Sequence, residues 1–267
     1  MMDEDYLKIN KDSWNKKVSY HLKSDFYKHE EFLKGESSLN KIELDLLPIL
    51  EGKKILHLQC HFGQDSLSLA RLGADVTGVD ISDKAIDEAR RSNEQLGLNA
   101  QFICCDIYDL PNHLEDQFDL VFTSYGVIGW LPDLNKWAKL INHYLKPKGE
   151  LLFIEFHPVV WMFNDSFESL DYSYFNVETI KEEIEGTYAD KEAPIKVSYV
   201  SWNHDLSEVL MSLINNGLAI KSFLEYNYSP YNCFLAMKKI AEGKYQIEKL
   251  ANKLPLVYSI LAKKGEL

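Results

Sequence analysis

With 267 residues, 46% of them hydrophobic and 26% charged, the chain has apolar material for one large α/β domain, alone or with an insertion. Its formal charge of -12 argues against a general grip on nucleic-acid phosphates, which draws on surplus Lys and Arg. No run is long and apolar enough to span a membrane, and the start Met1-Met2-Asp3-Glu4-Asp5 carries no apolar signal segment, so the expectation is a soluble, cytoplasmic protein. The oligomeric state is not legible.

Residues 1–50 read as an N-terminal extension, polar with scattered aromatics (Tyr6, Trp14, Tyr20, Phe26, Tyr27). A short helix is expected near Ser13 to Val18, capped by Asp12 or Ser13. The stretch Gly35-Glu36-Ser37-Ser38 marks a break, after which Leu39, Ile42, Leu46 and Leu47 recur at helical spacing up to Pro48. Such an extension either flanks the first strand or folds over a ligand, and a lid is the favoured reading.

Residues 51–156 carry the clearest repeat. Strands are expected at 54–58, 75–79, 100–104, 118–124 and 150–156, alternating with helices near 65–72, 83–96 and 133–145. Ala85, Ile86, Ala89, Asn93 and Leu96 share one helix face, as do Leu134, Trp137, Ala138, Ile141 and Leu145. Gly97 and Gly149 mark places where helices or turns give way to strands. Short apolar strands alternating with amphipathic helices predict a doubly wound, mostly parallel sheet covered on both faces.

After Phe156 the period breaks. Residues 157–204 are aromatic and acidic, with nine Asp or Glu against two Lys between 165 and 192, and read as an inserted substrate cap. Tyr172 to Glu178 and Ile195 to Trp202 are expected to pair as antiparallel strands. Residues 205–267 resume the sheet: Asp205 caps a helix ended by Gly217, a sixth strand runs from Ala219 to Glu225, and a seventh lies near 256–262, with a second insert at 227–254 between them.

The organising stretch is Lys54-Ile55-Leu56-His57-Leu58-Gln59-Cys60-His61-Phe62-Gly63-Gln64-Asp65-Ser66, a buried strand, a turn with glycine at its tightest point, and a helix start. The next strand closes on Asp80, and an acid there can receive both hydroxyls of a ribose. A dinucleotide fold places G-x-G-x-x-G in such a turn so that backbone can approach a pyrophosphate. Here Gln59 and His61 occupy that space, which favours a cofactor without phosphates over a nicotinamide. The four cysteines, Cys60, Cys104, Cys105 and Cys233, lack metal-ligand spacing. His57 and His61 flank Cys60 across a strand-to-turn boundary that does not point both rings one way, so no metal is expected.

Four segments in this order resemble the class I S-adenosylmethionine-dependent methyltransferases: the turn ending at Gly63, Asp80, the step Cys105-Asp106-Ile107, and Phe118-Asp119-Leu120-Val121-Phe122-Thr123-Ser124. The turn Leu56-His57-Leu58-Gln59-Cys60-His61, with Phe156-His157-Pro158 and Trp202-Asn203-His204, is similar to an uncharacterised bacterial branch acting on small molecules. The resemblance implies a seven-stranded sheet with an antiparallel last strand and S-adenosylmethionine as cofactor. It places Gln59, Cys60, His61 and Gly63 at the methionine portion, Asp80 at the ribose, Asp106 at the adenine amine with Ile81 and Ile107 about the ring, and Ser124 beside the reacting methyl. His157, just beyond the fifth strand, is the first candidate base, against a role in fixing the turn before Pro158. Tyr125 is a second candidate for the chemistry. Tyr125, Trp130, Trp161, His204, Tyr228 and Tyr231 are the candidate acceptor-binding residues.

Overall fold

In the computed structural model, which describes residues 5–265, the apolar strands of the core assemble side by side and bury both of their faces. Strands β1 (Lys54–Leu58), β2 (Asp75–Asp80), β3 (Gln101–Cys104), β4 (Phe118–Ser124) and β5 (Leu145–Phe156) are joined by α4 (Gln64–Arg71), α5 (Asp83–Gln95) and α6 (Leu134–Tyr144). Helix α7 (Leu206–Asn215) leads into β8 (Leu218–Tyr226), and β11 (Val257–Lys264) is the last strand. The order across the sheet is β3-β2-β1-β4-β5-β11-β8, with β11 antiparallel to both neighbours. This is the seven-stranded, mostly parallel sheet that the pattern implied.

Alternation along each strand divides the core into two layers. Leu56 and Leu58 of β1, Val121 of β4 and Leu151 and Phe153 of β5 pack with α6 and α7 on one face. Ile55, Leu120, Phe122, Leu152 and Ile154 pack on the other with α4, α5 and the N-terminal helices α2 (His29–Leu33) and α3 (Lys41–Leu46). Helix starts are fixed by side-chain oxygens: Ser82 accepts from the Ala85 amide, Asp133 from Lys136 and Asp205 from Glu208.

Several expectations need correction. Helix α1 runs over Tyr6–His21, well beyond 13–18, and Asp5 rather than Asp12 or Ser13 stands at its N-cap. Tertiary contact extends it: Asn10 donates to the Val200 carbonyl and accepts from the Val200 amide, both at 2.8 Å, tying the helix to the cap. The cap hairpin pairs β6 (Ile180–Glu185) with β7 (Lys196–Ser201), not 172–178 with 195–202. Residues 180–185 alternate in burial as a hairpin strand does, whereas the aromatics before them pack elsewhere, the Tyr174 hydroxyl accepting from the Leu206 amide. The second insert contains a hairpin of β9 (Met237–Ala241) and β10 (Lys244–Ile247). Gly149 lies inside β5, where a Cβ would meet the Phe118 carbonyl at 3.0 Å. Among the described residues no helix is long and apolar enough to cross a membrane. The acidic start, Met1 to Glu4, lies outside the described residues.

Two devices set the upper edge of the sheet. Gly78 brings β2 against Phe102 and Cys60, where an added Cβ would stand 2.8 Å and 2.9 Å from their side chains. Glu155 of β5, 2% exposed, accepts backbone N–H bonds from Gly126, Val127, Ile128 and Phe156, and so pins the loop after β4. Gly78→Ala is expected to cost about 1–3 kcal/mol by overpacking, read from urea unfolding, and less in a Phe102→Leu background; an unchanged midpoint would exclude the close approach. Glu155→Ala leaves four backbone amides, three of them buried, without their acceptor and is expected to cost more than about 3 kcal/mol. The same substitution at exposed Glu185 serves as the control, and equal losses would show that the loop is not held by this carboxylate.

Candidate functional site

The first turn owes its shape to three residues in the left-handed region, Gln59 (φ 55), His61 (φ 51) and Gly63 (φ 79). Two of them carry side chains, a conformation that costs on the order of 1 kcal/mol each and persists where surrounding structure enforces it. Asp80 supplies that enforcement. One of its oxygens accepts from the His61 amide at 2.9 Å and the other from the Ser82 amide at 2.8 Å, so the end of β2 is bolted to the turn above β1. Only 8% exposed, Asp80 has its carboxyl pushed up to about 6 by burial, against the pull of those amides. Gln59 donates to the Val127 carbonyl at 2.8 Å, joining the turn to the loop that Glu155 holds. Cys60 points down beneath Gly78, and its buried thiol is raised by desolvation.

Asp106 closes β3 one strand further out. It accepts from the Tyr108 amide and is raised chiefly by desolvation. Ile81 beside Asp80 is partly exposed, whereas Ile107 is packed in the core.

Helix α1 crosses above these strand ends. Asn15 accepts from the Ser82 hydroxyl at 2.6 Å and donates to Asp83 at 3.0 Å, and Lys11 pairs with Asp83 at 3.0 Å. Further along, Trp14 and His21 meet the His61 ring at centroid distances of 5.3 Å and 5.2 Å, and Trp14 meets Trp130 at 5.4 Å. Trp130 in turn abuts Tyr199 of β7, and its indole N–H donates to the Gly126 carbonyl at 2.6 Å. The turn, helix α1, the loop after β4 and the β6–β7 hairpin therefore converge on one place.

Beside it lies a buried acidic network. Ser124 and Ser38 donate to the two oxygens of Asp65 at 3.5 Å and 2.6 Å. The Tyr125 hydroxyl donates to Glu43 at 3.1 Å, and Tyr231 meets the Tyr125 ring edge-on and accepts from Asn40 at 2.7 Å. Burial raises Asp65 to about 6 and Glu43 to about 7. Asp65, Glu43 and the α1 residues Trp14, Lys17 and His21 were not singled out as site residues in the sequence. Helix α1 buries Asn10, Ser13, Lys17 and His21 with only Val18 among them, a face that hydrophobic periodicity does not mark.

Other expected residues are held elsewhere. His157 accepts from the Val159 amide and its Nε2 pairs with Glu225 at 3.0 Å, so both ring nitrogens are engaged, as in a histidine that fixes the turn before Pro158. His204 is likewise committed, to the Leu131 carbonyl at 2.8 Å and Glu208 at 2.9 Å, and serves to tie α7 to the loop. Trp161, 40% exposed, packs on Phe156 and Phe234, and Tyr228 lies against Tyr226 with Lys244 over its ring. Neither belongs to the convergence point. His57 is buried, hydrogen-bonded to Ser66 at 2.7 Å, and among the described residues no group of three or more His, Cys, Asp or Glu could hold a metal ion.

Comparison with known proteins finds relatives for part of the chain and for its fold. Residues 55–149 match the model of a methyltransferase domain. An uncharacterised methyltransferase of Synechocystis sp. is 34% identical over 131 residues, 48% of this chain and 59% of that protein. A ubiquinone biosynthesis O-methyltransferase of Coxiella burnetii is 38% identical over 104 residues, 39% of this chain and 44% of that one, so the chain spans about half the length of these curated relatives. A crystal structure of an S-adenosylmethionine-dependent methyltransferase from Clostridium acetobutylicum superposes over 96% of this chain and 99% of its own, with a TM-score of 0.58 at 17% identity. Residues 55–149 thus match a methyltransferase domain, and the chain as a whole has the fold seen in class I S-adenosylmethionine-dependent methyltransferases.

Proposed function

We propose that this protein moves a methyl group from S-adenosylmethionine to a small organic acceptor, as a member of a bacterial branch with the Leu56-His57-Leu58-Gln59-Cys60-His61 turn. The observation that carries the reading is the pair of carboxylates at neighbouring strand ends, Asp80 beneath the first turn and Asp106 beyond it, on this fold. The residues present fit such a cofactor. Gln59 Oε1 and both ring nitrogens of His61 are buried in the turn without a protein partner, and Ser13 and His21 of α1 add further unpartnered polar atoms. Groups of this kind suit an amino-acid end, while Asp80 and Asp106 suit the ribose hydroxyls and the adenine amine.

When bound, S-adenosylmethionine supplies a methyl group on a positively charged sulfur, ready for displacement. The protein's part is to align the acceptor with it and exclude water, and alignment alone accounts for much of the barrier reduction in such reactions. Ser124, Tyr125, Trp130 and Tyr231 form the acceptor side in this reading, with residues 1–50 as a lid and 157–204 as a cap. Asp65 and Glu43, raised by burial to about 6 and about 7, stand beside Tyr125 and are suited to take a proton from an acceptor near neutral pH. The acidic chain and its aromatic walls favour a small molecule over a nucleic acid. A second reading, a cofactor-binding protein without transfer, is favoured by the contact of Trp14 with Trp130 across the acceptor side.

Turnover separates the two. Incubation with S-adenosylmethionine and a metabolite mixture is expected to release S-adenosylhomocysteine, whereas tight binding with no release across the mixture would support the second reading. Asp106→Ala and Asp80→Asn are each expected to weaken S-adenosylhomocysteine roughly 10- to 100-fold by calorimetry, as loss of a charged hydrogen bond implies. Unchanged affinity in both folded variants would remove the proposed pose. Because ribose hydroxyls donate to the ionised form of Asp80, affinity is expected to fall as pH is lowered through about 6, and to fall less in Asp80→Asn. A flat profile in the unsubstituted protein would detach that carboxylate from the ligand.

A further inference from the structure

Lys17 is an unusual residue for the middle of a lid. It is 3% exposed, and its ammonium lies 4.6 Å from the Trp14 ring, 5.5 Å from Trp130 and 5.8 Å from Tyr199. No hydrogen bond or ion pair satisfies it among the described residues, and burial lowers it to about 8 with no carboxylate acting in the other direction. Its neighbours carry the same sign of demand. His21 and His61 are close enough for Lys17 to depress both, and all four of their ring nitrogens are buried without a protein partner. Burial holds both imidazoles neutral, His21 at about 3, so each presents one N–H donor and one bare nitrogen.

Burying a cation away from any counter-ion is costly, and placing two unsatisfied imidazoles beside it adds to the cost. The aromatic rings return part of it through their negative faces, yet they offer the imidazole N–H groups no oxygen or nitrogen acceptor. One missing partner would accept from a donor on each of the three: an anion carrying a single charge and two or more acceptor oxygens. The opposing acidic network does not fill that place, since Asp65 and Glu43 are taken up by Ser38, Ser124, Tyr125 and Asn40.

We propose that Lys17, with His21 and His61, receives the carboxylate of a ligand lying beneath α1. The inference rests on the cofactor reading above and narrows it. The carboxylate belongs either to the amino-acid end of the cofactor or to the methyl acceptor, which would then be a carboxylic acid held between aromatic walls. In either case the lid recognises its ligand by charge as well as by shape. The single formal charge of Lys17 matches a monoanion, and Trp14, Trp130 and Tyr199 offer flat surfaces to the body that bears it.

The test uses the full chain and Lys17→Met, with Lys17→Arg to restore the charge. Calorimetry compares S-adenosylhomocysteine with 5′-methylthioadenosine, which keeps the nucleoside and lacks the amino-acid end. If the cofactor supplies the carboxylate, Lys17→Met weakens S-adenosylhomocysteine at least ten-fold, leaves methylthioadenosine unchanged, and Lys17→Arg recovers part of the loss. If the acceptor supplies it, S-adenosylhomocysteine is unaffected. Benzoate then quenches the fluorescence of Trp14 and Trp130 saturably, benzamide does not, and the response is lost in Lys17→Met. The proposal is overturned if the variant treats both nucleosides as the unsubstituted protein does and benzoate gives no saturable response. It is overturned equally if both nucleosides weaken together with a fall in melting temperature, the signature of a lysine that only packs. Absence of nucleoside binding in the unsubstituted protein would instead sink the cofactor reading, and the benzoate response, measured with and without nucleoside, still decides the carboxylate site.

Discussion

One buried carboxylate holds the working end of this molecule together. Asp80 accepts an amide on each oxygen, one from the strained turn above β1 and one from the start of α5. Without that link, Gln59 and His61 would have little reason to stay in the left-handed region, and the turn would relax away from the strand ends. Ionising a carboxylate in so enclosed a place is itself unfavourable, which is why its titration is displaced upward. The arrangement stores cost in a place where a ligand offering hydroxyl donors would lower it.

The remaining walls of the site come from segments far apart in the chain. Asn10 joins α1 to β7 across 190 positions, Gln59 joins the first turn to the loop after β4, and Glu155 joins that loop to β5. Each link is a side chain serving backbone groups that no regular ladder reaches, so the irregular segments gain order without becoming helix or sheet. The result is a floor of strands with a roof assembled from α1 and the β6–β7 hairpin.

The roof is also where polar groups are treated least generously. Most buried polar atoms in a folded chain have partners, and here the exceptions gather: Ser13, His21, Gln59 and His61 lie together under α1. Ser92 of α5, Trp137 and Tyr258 also lack partners, the last two being large core side chains whose apolar burial outweighs one lost bond. The more polar side chains under α1 have less such compensation from packing. Function at a site commonly costs stability there in this way.

The amino-acid order by itself determined the sheet. Periodicity located all seven of its strands and the helices between them to within a few residues at most ends, because strand and helix periods are local and depend on side chains a few positions apart. Turn chemistry likewise marked Gly63 and Asp80 as the ends of the turn and strand that the His61 amide and the Asp80 carboxylate bring together. The tertiary structure alone decided which side chains meet there. His157 and His204 looked available until Glu225, Val159, Leu131 and Glu208 were seen to occupy their nitrogens. Lys17, His21, Glu43 and Asp65 looked like surface residues until the extension folded over the strand ends. Hydrogen bonds and burial between residues far apart in the chain leave no periodic trace, since they depend on where the backbone returns and not on what stands next in line.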